Sequence, residues 1–425
     1  MKKGLIICIL SLMFISLKGQ ELISIDSCYH RLERNYPEMQ NLQLISDAVE
    51  IQHQLLKTNY LPKLRLGAQA TWQSEVTQLN IDNPMFQFET PEISKDQYKA
   101  YAEITQTIWD GGMTSVSKAI EKLSGEIEHQ EIKLSVNQVR QQINELYFTI
   151  LLLQEQYNIL EYNKASINKK YNEILVAVEN EMALSADSKE LEVAILDIRQ
   201  EIIKTESARK TCIVMMEILT GEPIPELANF LFPGRGIQID TVINRPELNI
   251  MDLQKQQILQ QKQQASAVKH PMVSAFAQGG YGRPGLNMLS NDFDAYAIVG
   301  VRLSWNIWEW NTLKKQHAIA DINLQKIDNK KQAFVNNINA QAESYLQEIK
   351  TQNDLISQDK EIIELREEIQ ASKEAQFNEG NLPVSDYLEA LHKSSIAKVQ
   401  LEIHEINKAK AIIKHLTLTG KIENK

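Results

Sequence analysis

The sequence carries one plan twice. Asn35-Tyr36-Pro37-Glu38-Met39 returns as Asn244-Arg245-Pro246-Glu247-Leu248, 209 positions later, and Pro62 returns as Pro271 at the same spacing. Ile108-Trp109-Asp110 returns as Ile307-Trp308-Glu309, and Leu219-Thr220-Gly221 as Leu418-Thr419-Gly420, both now 199 positions apart. Four matches in one order, with a single length change between Pro62 and Trp109, define a tandem repeat. A chain of 425 residues would ordinarily divide into two or three domains of about 100–200 residues. The repeat replaces that division with one domain made of two halves: 21–230 and 244–420, joined by a linker at 231–243 and followed by a tail at 421–425.

Each half reads alike. A helix of about 25 residues leads to Pro62 or Pro271, and two strand-like runs follow, at about 63–73 and 98–109, then 272–282 and 296–308. On the first strand Leu64, Leu66, Ala68, Ala70 and Trp72 share one face, against Arg65, Gly67, Gln69 and Thr71. On the second, Ala100, Ala102, Ile104 and Ile108 oppose Tyr101, Glu103, Thr105 and Thr107. Val273, Ala275, Ala277 and Tyr281, then Val299, Val301, Leu303, Trp305 and Ile307, repeat the pattern. This alternation suits a half-buried soluble sheet or a barrel strand with a polar lumen, and runs of about ten residues are long enough to cross a membrane.

Long helical hairpins complete each half, at about 112–220 and 311–419. Only 16 Gly and 11 Pro occur in the chain, roughly half of typical usage at about 7% and 5%, so turns are few and elements long. At ~1.5 Å per residue, the stretch from Met113 to Asn180 spans on the order of 100 Å. Val139, Ile143, Leu146, Ile150, Leu153, Tyr157 and Leu160 form a 4-3 seam that needs a neighbouring helix. Breaks at 181–187 and 380–386 fold each stretch into a hairpin, and the return helices end at Gly221 and Gly420.

Lys2 and Lys3 before the apolar run Leu5–Leu17 read as a secretory signal peptide over 1–20, cut near Gly19 or Gln20. Cleavage removes Lys2, Lys3 and Lys18 and so takes the formal charge from -10 to -13, which excludes an electrostatic case for nucleic acid. Of three cysteines only Cys28 and Cys212 then remain, expected as buried free thiols, with a disulfide between them as the alternative an oxidising compartment allows. Nothing after residue 20 is apolar enough for a transmembrane helix.

Four strands with a lipid-type face cannot stand open in hydrocarbon, where unpaired backbone groups cost several kcal/mol each. They must close with other copies, two giving eight strands and three giving twelve; if the barrel is a conduit, three are favoured.

These features together resemble the TolC family of outer-membrane efflux proteins. The resemblance is carried by Asn244-Arg245-Pro246-Glu247-Leu248 with Pro271, by Ile108-Trp109-Asp110-Gly111-Gly112, and by Phe377-Asn378-Glu379-Gly380 with Asp386 and Leu388. It covers essentially the whole mature chain. It implies a mainly α protomer with four membrane β-strands. Three protomers would form a twelve-stranded barrel in outer-membrane lipid and an α-helical tunnel in the periplasm. It also implies a periplasmic adaptor as partner and, through it, an inner-membrane transporter of the RND, ABC or MFS kind.

On that resemblance the hairpin turns form the periplasmic end. Glu181, Met182, Ala183, Leu184, Glu379, Gly380, Asn381, Leu382 and Pro383 are then expected to meet the adaptor. Asp386 and Glu389, three apart on one helix face, would form carboxylate rings in a trimer, with Asp187 and Glu190 at the equivalent place of the first half. The same acids also suit the positive end of a helix dipole. Two positions depart from the family: Glu181 stands where the repeat expects Gly, and Leu382 where some relatives have an Arg that pairs across hairpins. No catalytic constellation, cofactor motif or metal-ligand spacing is present. His53, His129 and His404 read as solvated, Met215-Met216 as core, Gln254 to Gln264 as a polar helix face, and Gly279 to Gly285 as a loop.

The expected function is an efflux duct for small toxic compounds. The alternatives are the exit duct of a type I protein secretion system and, from another class, a periplasmic adaptor or coiled-coil scaffold.

Overall fold

The computed structural model describes residues 22–77, 93–226, 228–233 and 242–421. The expected signal peptide, most of the linker and nearly all of the tail lie outside the described residues. In chain order the elements are β1 (Leu22–Ile23), α1 (Ile25–Asn35), α2 (Asn41–Lys57), β2 (Lys63–Trp72), β3 (Asp96–Trp109), α3 (Met113–Glu179) and α4 (Ser185–Thr220). Then follow β4 (Asn229–Phe230), α5 (Pro246–Ala267), β5 (Met272–Arg283), β6 (Asp294–Ser304), α6 (Thr312–Asn378) and α7 (Val384–Thr419).

The halves agree residue for residue where it counts. Helices α3 and α6 both have 67 residues, and α4 and α7 both have 36. Each pair begins and ends 199 positions apart. Neither 67-residue helix contains a proline, and α3 holds only Gly125, so nothing breaks the hydrogen-bond ladder for ~100 Å.

By its contacts the chain divides into two bodies, each drawing on both halves of the repeat: 1–42, 130–248 and 332–425 in one, 43–129 and 249–331 in the other.

In the first body, α1 lays Ile25, Cys28, Tyr29 and Leu32 against Val136, Ile143, Tyr147, Phe148, Ile150 and Leu151 of α3. Ile213 and Met216 of α4 and Ile406, Ala409 and Ile413 of α7 close the cluster. Each fully buried Leu, Ile or Phe contributes about 1.5–3 kcal/mol. The seam read from sequence is too narrow here: Ile143 and Ile150 are buried, but so are Asn144, Tyr147 and Phe148, because α3 meets several elements on this stretch. Tyr147 Oη donates to the carbonyls of Ile23 (3.0 Å) and Leu231 (2.6 Å), tying down the short parallel pair β1–β4. Tyr29 Oη donates to Asn144 Oδ1, and Asn144 Nδ2 donates to Thr417 Oγ1 at 3.0 Å. Cys28 is buried, Cys212 half-buried, and both are free thiols. Burial pushes the Cys28 thiol up to about 12. Met216 is core, whereas Met215 is half exposed.

Two histidines are not simply solvated. His404 Nδ1 of α7 lies 2.5 Å from Asp359 Oδ2 of α6, with both side chains largely covered. In the second body, His53 Nε2 of α2 lies 2.9 Å from the Lys118 carbonyl of α3. The sequence places each on a helix, but the neighbouring helix supplies the partner.

In that second body α5 is held to its neighbours by polar contacts at helical spacing. Gln257 and Gln264 donate to Ser124 Oγ (2.8 Å) and Ser117 Oγ (3.2 Å) of α3, so part of the Gln-rich face is a helix contact. Lys255 and Lys262 pair with Asp328 and Asp321 of α6 at 2.6 and 2.7 Å.

The sheet of this body has the order β2-β3-β5-β6, antiparallel throughout. Its central ladder, β3–β5, is also the junction between the two halves. Strand β6 ends at Ser304, not at 308 as the alternation leads one to expect. The reason is its partner: Met272 pairs with Ser304, and Pro271 before it has no N–H to extend the ladder. Strand β3 runs on to Trp109 because β5 covers its other side, through a bulge between Thr107 and Trp109. Gly279 to Arg283 is strand, not loop, since both its neighbours continue alongside it.

Candidate functional site

Two places carry the functional expectations, and each is described within its own body. The first is the end of the hairpins. In the first turn Glu181 has a left-handed backbone (φ 61°), and Met182 N–H donates to the Ala177 carbonyl at 2.8 Å. In the second, Gly380 has φ 76°, and Asn381 N–H donates to the Gln376 carbonyl at 2.9 Å. These are the same helix-ending turn at equivalent positions. The departure at Glu181 changes the residue and leaves the turn intact.

Beneath the turns, Ile167 of α3, Leu191 and Ile195 of α4, Phe377 of α6, and Val384, Tyr387 and Leu391 of α7 form a buried cluster. Phe377 and Tyr387 stack with centroids 5.3 Å apart. Leu382, where a latch arginine was in question, packs against this cluster. A different polar link joins the hairpins. Lys170 of α3, buried, donates to Glu173 Oε2 (2.6 Å) and to Asn378 Oδ1 of α6 (2.7 Å), with its ammonium 5.8 Å from the Phe377 ring centre. Ser395 Oγ of α7 donates to Asn163 Oδ1 of α3 at 2.9 Å.

Sequence reasoning missed these residues. The available signal was a lysine on the helix face that carries Ile167, Tyr171 and Ile174, where a charge needs a partner.

The four acids differ in setting. Asp386 and Asp187 are half-buried in the first turns of α7 and α4, and Glu389 and Glu190 are exposed. Glu389 is ion-paired with Lys393 one turn along its own helix, which holds its carboxyl below the usual range. Among the described residues no hydrogen bond or ion pair joins the acids of one hairpin to those of the other. At the tip, Met182 and Leu184 are exposed.

The second place is the sheet. Its register puts Leu64, Leu66, Ala68 and Ala70 beside Ile104, Ala102, Ala100 and Tyr98, and Trp72 beside Asp96. Ala277, Gly279 and Tyr281 continue the row, and Val301, Val299, Ala297 and Ala295 finish it. The face with this row is mainly apolar across all four strands, with Gln106 on it and the Arg283–Asp96 ion pair at one end, and its large side chains are exposed, Leu66 to 77% and Val299 to 82%. The other face carries Arg65, Gln69, Lys99, Glu103, Gln278 and Arg302. Ile108 falls at the bulge, which returns Trp109 to the apolar row. The outer edges of β2 and β6 have no partner strand among the described residues.

An open sheet with one polar and one apolar face, in a chain with two copies of a 67-plus-36-residue hairpin, is a narrow description. Solved structures share this chain's fold. The chain superposes on CusC, described for its folding and transmembrane channel formation, with a TM-score of 0.68 at 13% identity, covering 93% of this chain and 91% of that one. It superposes on the outer membrane protein VceC of Vibrio cholerae with a TM-score of 0.66 at 13% identity, covering 94% and 97%. For the CmeC outer membrane channel of Campylobacter jejuni the values are 0.64, 14%, 94% and 87%.

The chain has the TolC-like outer-membrane channel fold.

No protein-family model matches the sequence, and no curated protein matches it. At 10–14% identity to the solved structures, the TolC-like likeness rests on backbone arrangement rather than shared residues. Among the described residues no helix is long and apolar enough to cross a membrane. None of them form a group of three or more His, Cys, Asp or Glu placed to hold a metal.

Proposed function

We propose that this chain is the protomer of a trimeric outer-membrane duct, which conducts small toxic compounds from a periplasmic adaptor and its inner-membrane transporter to the cell exterior. The observation that carries the reading is the sheet: one mainly apolar face, one polar face and two outer edges with no partner strand among the described residues. In hydrocarbon those edges must close, and three copies give twelve strands, enough for a water-filled lumen. Helix α6 supports the same reading, since Ile319, Ile322, Ile362, Leu365 and Ile369 are left exposed along it, as a neighbouring copy would require. A duct of this kind performs no chemistry.

The turns 181–184 and 379–383 are the proposed adaptor contacts, with the exposed Met182 and Leu184 as apolar anchors. Asp386 and Asp187 are the proposed gate acids at the narrow end, with Glu190 and Glu389 beside them.

The test has two parts. Membrane fractionation and native sizing place the mature protein in the outer membrane as a trimer; a soluble monomer sinks the duct. Deleting the gene then raises susceptibility to small toxic compounds. Unchanged susceptibility with a lost exported protein would assign the duct to protein secretion instead.

A further inference from the structure

Charge is sorted unevenly on the sheet. The chain as a whole is acidic, with a formal charge of -10. The polar face of the four strands nevertheless carries Lys63, Arg65, Lys99 and Arg302 against only Glu103 and Asp294. The other charged strand residues, Asp96 and Arg283, pair with each other on the opposite face. All four cations are exposed, and among the described residues none of them is joined to an acid by an ion pair. Glu103 stands directly opposite Arg65, but it is half-buried and accepts a hydrogen bond from Thr105 Oγ1 at 3.0 Å.

Register shows where the excess lies. Lys99 and Asp294 share the row Gln69–Lys99–Gly282–Asp294 toward the loop end of the strands, where they offset each other. Lys63 opens β2, Arg65 follows two residues later, and Arg302 lies two residues before the end of β6. These three, with Glu103, occupy the half of the sheet nearest the helices. Three cations there face one acid, an excess of two per copy and of six in a ring of three. The surface between them is flat. Phe276 shares the row Lys63–Thr105–Phe276–Gly300 and lies across Gly300, and the Arg302 guanidinium is held 4.8 Å over its ring.

We infer that Lys63, Arg65 and Arg302 form a basic collar that binds polyvalent organic anions at the helix end of the barrel. The inference rests on the duct reading proposed above, which makes the polar face the wall of a lumen. Rings of Arg and Lys are the arrangement that anion-conducting pores use. A low-dielectric wall focuses the field of such a ring on the solute inside it. The guanidinium groups of Arg65 and Arg302 have no acid to satisfy and offer a planar fork to carboxylate, sulfonate or phosphate. A compact cation meets the same excess as a repulsion, so the collar sorts solutes by charge separately from the hairpin acids.

Net ion selectivity reports the narrowest ring of a pore, so binding is the direct readout of the collar. Pyrene tetrasulfonate, a fluorescent tetra-anion, is titrated into the detergent-solubilised full-length protein and followed by fluorescence anisotropy. It should bind the wild type, with an affinity that falls as salt is raised. The variant combining Lys63→Gln, Arg65→Gln and Arg302→Gln should bind it about ten-fold more weakly or worse. Lys99→Gln, at the loop end, should weaken binding by no more than about three-fold. Added to a planar bilayer from the loop side, the same anion should reduce the current through the wild type and spare the triple variant. Equal binding by wild type and triple variant overturns the collar. So does an absence of binding to a protein that sizes as an oligomer and conducts ions, and in both cases the duct stands. A loss at Lys99 as large as that of the triple variant overturns the placement at the helix end. A monomer that forms no pore refutes the duct, and the collar with it.

Discussion

Gly67 and Tyr101 face each other across the β2–β3 ladder, and the phenol ring fills the space a side chain at 67 would need. A Cβ there would sit 2.6 Å from Tyr101 Cζ. At the matching position of the second half the pair is reversed: Phe276 lies over Gly300, whose Cβ would be 2.9 Å from the Phe276 ring. One ring and one glycine occupy the polar face at this level in both halves, but the strands exchange roles. The ring lies flat across the sheet instead of standing away from it, and Arg302 takes position 4.8 Å over Phe276.

The exchange predicts a rescue. Gly67→Phe alone places two rings in one site and should cost about 1–3 kcal/mol through overpacking. Adding Tyr101→Gly recreates the arrangement of the second half and should recover most of the loss, a coupling of about 1 kcal/mol or more. Heat dissociation of the detergent-solubilised protein reads both; purely additive losses would show that the rings do not share a site.

Glu181 bears a cost that Gly380 does not. A side chain in the left-handed region costs about 1–2 kcal/mol, partly offset by the greater freedom of glycine in the unfolded chain. Glu181→Gly should therefore stabilise by about 0.5–1 kcal/mol, and Gly380→Ala should destabilise by a similar amount. Thermal unfolding separates the signs, and a destabilised Glu181→Gly variant would contradict the argument.

Lys170 joins α3 to α6 through Asn378. Lys170→Ala removes that bond and the packing of the lysine stem, for an expected loss of about 1–3 kcal/mol. Asn378→Ala should cost less, and nothing further in the Lys170→Ala background. Limited proteolysis at the hairpin turns should rise in the same order. Independent, summing effects would remove the link between hairpins.

Glu145 lies between Lys410 and Lys414 of α7, at 2.5 and 2.7 Å. Burial by itself would raise its carboxyl, but the two ammonium groups outweigh burial and hold it below the usual range. A carboxylate depressed by folding stabilises above its unfolded pKa, and loses that contribution as the pH falls through its folded value. The group is half exposed, so the contribution is about 0.5–1 kcal/mol. Wild type should exceed Glu145→Gln by that amount at pH 7, with the gap closing below about pH 4; a gap independent of pH would place the effect elsewhere.

The proposed gate acids are unequal. Glu389 is already neutralised by Lys393, so Asp386→Asn should lower cation preference in planar bilayers more than Glu389→Gln. The reverse order, or no change with either, would leave these side chains as ordinary helix-start acids.

The sequence by itself determined what depends on near neighbours in the chain. Two-residue alternation from Leu64 to Trp72 chose strand and face, the lack of proline chose uninterrupted helices, and matched segments such as Leu219-Thr220-Gly221 and Leu418-Thr419-Gly420 fixed the repeat. The turns at 181 and 380 were legible for the same reason. What the tertiary structure alone decided depends on which element lies alongside. β6 stops at Ser304 because its partner β5 begins just after a proline. Trp109 returns to the apolar row because β5 forces a bulge. Tyr147 is buried because its face of α3 meets the β1–β4 pair, and Lys170 finds Asn378 more than 200 positions away. Periodicity reports the side of an element that will be covered, but the partner, and so the register, follows only once distant segments have met and every buried polar group has found its bond.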